Sequence, residues 1–236
     1  MVISAIGLLV SFWNRNDLPG NVALLPAIDS EPVQRATQHR SFDANWLGER
    51  YEIKPQYDYD ITGMIVSYRH HDGNSRMHAR SADHLNMLDV CVVWGDSANN
   101  PLLDKIKFWN GIFTCNFRTR DQRAWELFDI YQISNNHLLS DDPLIRDRVG
   151  DIRIGDQIRV RGWLSSYVSP NGSERGTSVT RKDTGDGACE TIYVDAFDIV
   201  QPALSYWRIG MWFFLALFAA SLAAYFMAPH RPHRDR

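Results

Sequence analysis

The 236-residue chain reads as a mainly β protein with one or two short helices, followed by a C-terminal transmembrane helix and preceded by an N-terminal anchor. Three observations predict this. Short runs of β-branched and aromatic residues recur between turn signals from Tyr57 to Val200. The stretch Ile209–Ala228 holds no charge, and at about 1.5 Å per residue it spans roughly 30 Å, the thickness of a bilayer's hydrocarbon core. Apolar residues make up 44% and charged residues 22% of the chain, ordinary globular values, so the part outside the membrane is able to build a core.

The elements follow in order. Residues 1–15 open with MVISAIGLLVSFW, which has no basic n-region and no A-x-A-like cleavage site after it. A helix over these residues reaches only about 20 Å, short for a span. It reads as a short signal-anchor, an interfacial helix, or the end of a longer helix. An anchor that pairs with the C-terminal helix in a hairpin-like arrangement, both ends cytoplasmic, is the preferred reading. Residues 16–56 carry Pro19-Gly20, Pro26 and Pro32 and read as a linker. Residues 57–200 form the domain. Ile61–Arg69 is a strand closed by the turn Asp72-Gly73-Asn74, and Leu88–Gly95 is an apolar strand. Gly111–Phe117 places Phe113, Cys115 and Phe117 on one face by alternation. Trp125, Phe128 and Gln132 fall at helical spacing behind Asp121, a suitable N-cap, so a helix is expected near Ala124–Ile133. Asp141-Asp142-Pro143 opens a second short helix or a turn. After Gly155-Asp156, the strand QIRVRGWLSSY puts Ile158, Val160, Gly162 and Leu164 on one face and Arg159, Arg161, Trp163 and Ser165 on the other. A polar loop, Ser169–Gly187, leads to a last strand with Ile192, Val194 and Ala196 on a common face. Residues 207–228 are the transmembrane helix, and 229–236 a basic tail.

This order of strands and helix resembles an OB-type barrel, carried by Gly63, the helix near Ala124–Ile133, Gly155-Asp156 ahead of Ile158, Val160 and Gly162, and the closing YVDAFDIV. A glycine in mid-strand permits the sharp bend such barrels need. The phrases SNNHLL (Ser134–Leu139), RIGDQIRVRGWL (Arg153–Leu164) and TSVTRKDTGDGACE (Thr177–Glu190) resemble those of a family of uncharacterised bacterial membrane-anchored proteins. That resemblance implies no activity; it treats domain and anchors as one unit.

Charge and cysteines bound the function. Without the segment from Arg208 onward, the body holds 21 basic and 27 acidic residues. A phosphate-binding protein would show a basic excess, so nucleic acid is disfavoured as a partner. The tail HRPHRDR outweighs Arg208 on the other flank, which places the C-terminus in the cytoplasm and the body outside, at a bacterial inner membrane. The lipid bilayer and other membrane or envelope proteins are then the expected partners. Cys91, Cys115 and Cys189 are widely spaced, with no C-x-x-C. In an oxidising compartment two of them pair and leave one free; small buried residues within strands is the plainer reading.

Candidate site residues fall in three groups. His71, His78 and His84, with Asp72 and Asp83 nearby, offer ligands for zinc or copper, but their spacing matches no metal signature, and no metal or other cofactor is expected. Cys189, His137 and Asn136 assemble on paper into a Cys-His-Asn or Cys-His-Asp nucleophilic set. Set against this, His137 and the two asparagines are equally suited to capping the preceding helix, and Arg181 and Asp183 to holding the long loop. Arg159, Arg161 and Trp163 combine cations and an aromatic ring on one strand, a surface able to bind by stacking and cation–π contact. The leading expectation is a non-catalytic extracytoplasmic binding or assembly module. A Cys/His-dependent hydrolase or thiol enzyme is the alternative, and a cytoplasm-facing nucleic-acid binder the second alternative.

Overall fold

One strand of 22 residues, Glu49–His70, organises the sheet. The computed structural model describes residues 1–20, 22–71, 83–111, 113–180 and 189–228. Among these, 39% lie in strands and 29% in helices, so the chain is mixed α/β rather than mainly β. The strands are β1 (Val33–Ala36), β2 (Phe42–Trp46), β3 (Glu49–His70), β4 (Asn86–Val93), β5 (Lys107–Asn110), β6 (Cys115–Arg118), β7 (Ile133–Leu139), β8 (Gln157–Val168), β9 (Glu174–Arg175) and β10 (Glu190–Gln201). The α-helices are α1 (Val2–Asn14), α2 (Gly95–Asn99), α3 (Gln122–Glu126), α4 (Pro143–Gly150) and α5 (Tyr206–Met227). They fall into two units, Gly20–Ala203 and Met1–Pro19 with Leu204–Arg236.

In the larger unit, β3 is long enough to serve two neighbours. Its Glu52–Met64 part pairs with β8, and its Met64–His70 part pairs with β4. The pairings run from β3 through β4, β7, β10 and β8 and return to β3. All are antiparallel except β7 with β10. Tyr59, Ile61, Ile65, Leu88, Val90, Leu138, Ile158, Val160, Leu164, Ile192, Val194 and Phe197 form the main core, with Ile145 and Val149 of α4 packed into it. Two glycines allow backbones to close up. A Cβ on Gly162 would lie 2.0 Å from the Tyr193 carbonyl oxygen, and one on Gly63 would lie 2.9 Å from that of Val93.

Several expectations are corrected. The expected linker, residues 16–56, contains β1, β2 and the start of β3, and its Ile28, Ala44, Tyr51 and Ile53 are 0% exposed. β1 and β2 are only four and five residues long, too short for a periodicity to reveal them. The helix expected over Ala124–Ile133 is a single turn, α3. Asp121 does cap it, accepting from Ala124 N at 3.0 Å, but Asp129 then accepts from Tyr131 N at 2.9 Å. That local turn ends the helical path, and Ile133 begins a strand. In chain order, the helix between the third and fourth of these five strands, β7 and β8, is α4, capped by Asp142 with Pro143 in its first turn. Gly111–Phe117 is not a continuous strand, because Phe113 has φ 56°. Ala196 does not share the inward face of Ile192 and Val194: a register shift after Val194 hands that face to Phe197. The turn at Asp72, the Arg181–Asp183 pairing and the basic tail lie outside the described residues.

In the smaller unit, α1 packs on α5. A Cβ at Gly7 would meet the Phe214 ring at 2.6 Å, and one at Gly210 would lie 3.0 Å from Ser11 Oγ. α5 is long and apolar enough to cross a membrane, and none of its residues is buried. Such a fully exposed apolar surface needs cover from lipid or protein.

Candidate active site

The pairing order brings three chemistry-bearing residues side by side. Asp89 on β4 stands directly opposite His137 on β7. On the other flank of β7, Glu190 pairs with Asn136, so Cys189 enters β10 next to Asn135. Leu88, Val90 and Leu138 belong to the core, so strand alternation turns Asp89 and His137 to the opposite face. That face is nonetheless dry: Asp89 is 0% and His137 3% exposed. A Cys91–Cys115 disulfide, with Cα atoms 5.8 Å apart, ties the start of β6 to β4. Cys91 follows Asp89 by two residues on the same face. Two residues before Cys115, Phe113 lies against the site, its ring edge-on to His137 with centroids 5.6 Å apart.

Asp89 is the hub. Its Oδ1 lies 2.5 Å from His137 Nδ1 and accepts from Asn86 Nδ2 at 3.0 Å, while Oδ2 lies 2.8 Å from His71 Nε2. Cys189 lies close enough to His137 for the two side chains to interact electrostatically. With Nδ1 on Asp89, Nε2 is the ring nitrogen available to the thiol. The sulfur also donates to Phe113 O at 3.3 Å and accepts from Asn135 Nδ2 at 3.3 Å. Asn135 Nδ2 donates to Phe113 O as well, at 2.9 Å.

Electrostatics follow from this wiring. Burial alone would lower the His137 pKa; the bonds to Asp89 and Cys189 outweigh it and raise it to about 9. Burial would raise Asp89, but bonding to His137 and His71 holds it below the ordinary carboxylate range. At neutral pH the site is therefore an anionic carboxylate with an imidazolium turned toward a half-buried thiol. A carboxylate behind the imidazole fixes its tautomer and orientation, the arrangement of nucleophilic triads.

Of the residues singled out in the sequence, His137 and Cys189 are brought together and Asn136 is not. Alternation sends Asn136 the other way, onto Ser134 Oγ at 2.8 Å and Val90 O at 3.3 Å, and Asn135 takes the place beside the sulfur. His137 caps no helix; it lies in mid-strand. His71 joins the site as a partner of Asp89 rather than as a metal ligand. His84 faces Glu49 instead, at 3.9 Å, and His78 lies outside the described residues. No group of three metal-ligating side chains forms among the described residues. Asp89, Asn135 and Phe113 were missed. Asp89 carried a signal, as a single carboxylate within an apolar strand, a position that demands a buried partner.

Arg159, Arg161 and Trp163 lie elsewhere on β8. Arg159 is bound by Asp60 through two bonds of 3.0 and 2.6 Å. Trp163 is packed by His39 at 4.4 Å and by Phe42 and Tyr193 at 6.0 and 6.1 Å. Between Arg35, Arg161 and Trp163 runs an open groove of about 440 Å³ that Asp58, Asp60 and Asp195 also line.

Compared with protein-family models, with curated proteins and with solved structures, the chain matches none.

Proposed function

We propose that this protein is a membrane-anchored thiol enzyme whose OB-like barrel works on the extracytoplasmic side of a bacterial inner membrane. The observation that carries the reading is the chain Asp89–His137–Cys189. In it His137 holds the proton given up by the thiol, Cys189 attacks an electrophilic centre of the substrate, and His137 returns the proton to the leaving group. Asp89 keeps the imidazole oriented throughout. The cycle β3-β4-β7-β10-β8, with α4 on the β7–β8 connection, supports the barrel assignment. The Cys91–Cys115 disulfide suits an oxidising compartment, and α5 suits a membrane span whose basic tail faces the cytoplasm.

A second reading, a non-catalytic binding or assembly module, is favoured by the groove beside Arg161 and Trp163. Its three carboxylates weigh against phosphate ligands and leave peptides or other envelope proteins as the fitting partners. The full chain in mild detergent separates the two. Under the thiol reading, iodoacetamide at neutral pH modifies Cys189, and His137→Ala slows that modification at least about tenfold, because the sulfur loses the imidazole that activates it. A Cys189 rate equal in wild type, His137→Ala and denatured protein would leave the binding reading alone.

A further inference from the structure

Phe113 touches both Cys189 and His137. Its carbonyl oxygen accepts from both the Cys189 thiol and Asn135 Nδ2, and its ring lies against His137. The outer side of the ring is covered by Arg175, whose guanidinium carbon is 3.7 Å from the ring centroid. Phe113 holds φ 56°, a left-handed conformation that is unfavourable for a non-glycine residue of this bulk and persists only when its surroundings enforce it. The covalent restraint in those surroundings is two residues away, where Cys115 is bonded to Cys91 on β4. The partner strand is fixed in the core, since Val90 and Val92 on either side of Cys91 are 0% and 1% exposed.

We infer that the Cys91–Cys115 disulfide is a redox latch that holds Phe113 as a stopper over the Cys189 thiol, and that its reduction opens the site. The inference rests on the thiol reading and adds its regulation. In the closed form the sulfur is spent on the Phe113 carbonyl and the ring blocks the approach along His137. Opening proceeds by thiol–disulfide exchange. A dithiol reductant attacks the bridge and forms a mixed disulfide, and its second thiol then displaces the remaining cysteine. The reductant leaves as a disulfide with two electrons and two protons given up, and Cys91 and Cys115 each end as a thiol. Relieved of its tether, the β5–β6 turn that carries Phe113 swings off the site and withdraws the Phe113 carbonyl from Cys189.

The test compares iodoacetamide modification of Cys189, read on its own peptide by mass spectrometry, in four forms of the full chain in detergent. These are the oxidised protein, the protein reduced with dithiothreitol and desalted, Cys91→Ser with Cys115→Ser, and Phe113→Ala with the disulfide intact. The expected result is a rise of at least about tenfold in the last three over the first. Phe113→Ala keeps the test decisive should loss of the bridge disturb folding. Equal rates in all four, with modification still dependent on His137, would overturn the latch and leave the thiol reading standing. Slow modification in all four, independent of His137, would overturn both.

Discussion

Asp89→Ala is expected to lower the unfolding free energy by about 3–5 kcal/mol, the loss that follows when one member of a buried charge pair is removed. Asp89 is fully buried and receives Asn86, His137 and His71. Alanine leaves all three polar groups without their acceptor in a dry setting. Asp89→Asn, which keeps the shape and one acceptor oxygen, is expected to lose less. The effect depends on pH through two groups. His137 is raised above its ordinary 6.5 to about 9, so its contribution is complete below 6.5 and disappears as pH rises through about 9. Asp89 is held below its ordinary 3.8, so its contribution is complete above that value and disappears as pH falls through the folded-state value. The gap between wild type and Asp89→Ala is therefore widest between about pH 4 and 6.5. Denaturant titrations followed by tryptophan fluorescence at pH 5, 7 and 9.5 measure it. A gap that grows toward pH 9.5 would contradict the assignment.

Gly162→Ala is expected to cost at least about 3 kcal/mol, at the upper end of overpacking losses. The added carbon would fall 2.0 Å from the Tyr193 carbonyl oxygen and 3.1 Å from Val194 Cα. Both are backbone atoms in the β8–β10 ladder, so no rotamer change relieves the clash. Gly162 also stands beside the register shift that follows Val194, where β10 bends to complete the cycle of pairings. The same denaturant titration reads the loss. Gly176→Ala, at a position where a Cβ meets nothing within 4 Å, is the control and is expected to change little.

The parts of the fold legible in the sequence are those with a strong local pattern. β8 announces itself through the alternation of Ile158, Val160 and Leu164 with Arg159 and Arg161, and α5 through the uncharged run Ile209–Ala228. The two Asp-led helix starts were legible from capping chemistry. The extent of α3 was not, because Trp125, Phe128 and Gln132 fit helical spacing while the Asp129 turn stops the helix. β7 was hidden because SNNH reads as loop. Those polar residues sit in a strand only because partners on β4 and β10 satisfy them, which no local window contains. For the site, His137 and Cys189 stood out by residue type, whereas the choice of Asn135 over Asn136 depends on strand parity, known only once β7 is recognised as a strand. Asp89 was passed over inside an apolar run. The first strands were lost for a similar reason: β1 and β2 are four and five residues long, and their partner is the far larger β3.

The central claim is that His137, oriented by Asp89, activates the Cys189 sulfur for attack. The rate of Cys189 modification by iodoacetamide at about pH 7 in the reduced, desalted wild-type chain tests it most directly, with the peptide released by denaturation as reference. The account predicts a native-state rate at least about tenfold above that of the peptide, and loss of that excess in His137→Ala. A native rate no faster than that of the peptide, with or without His137, would contradict it.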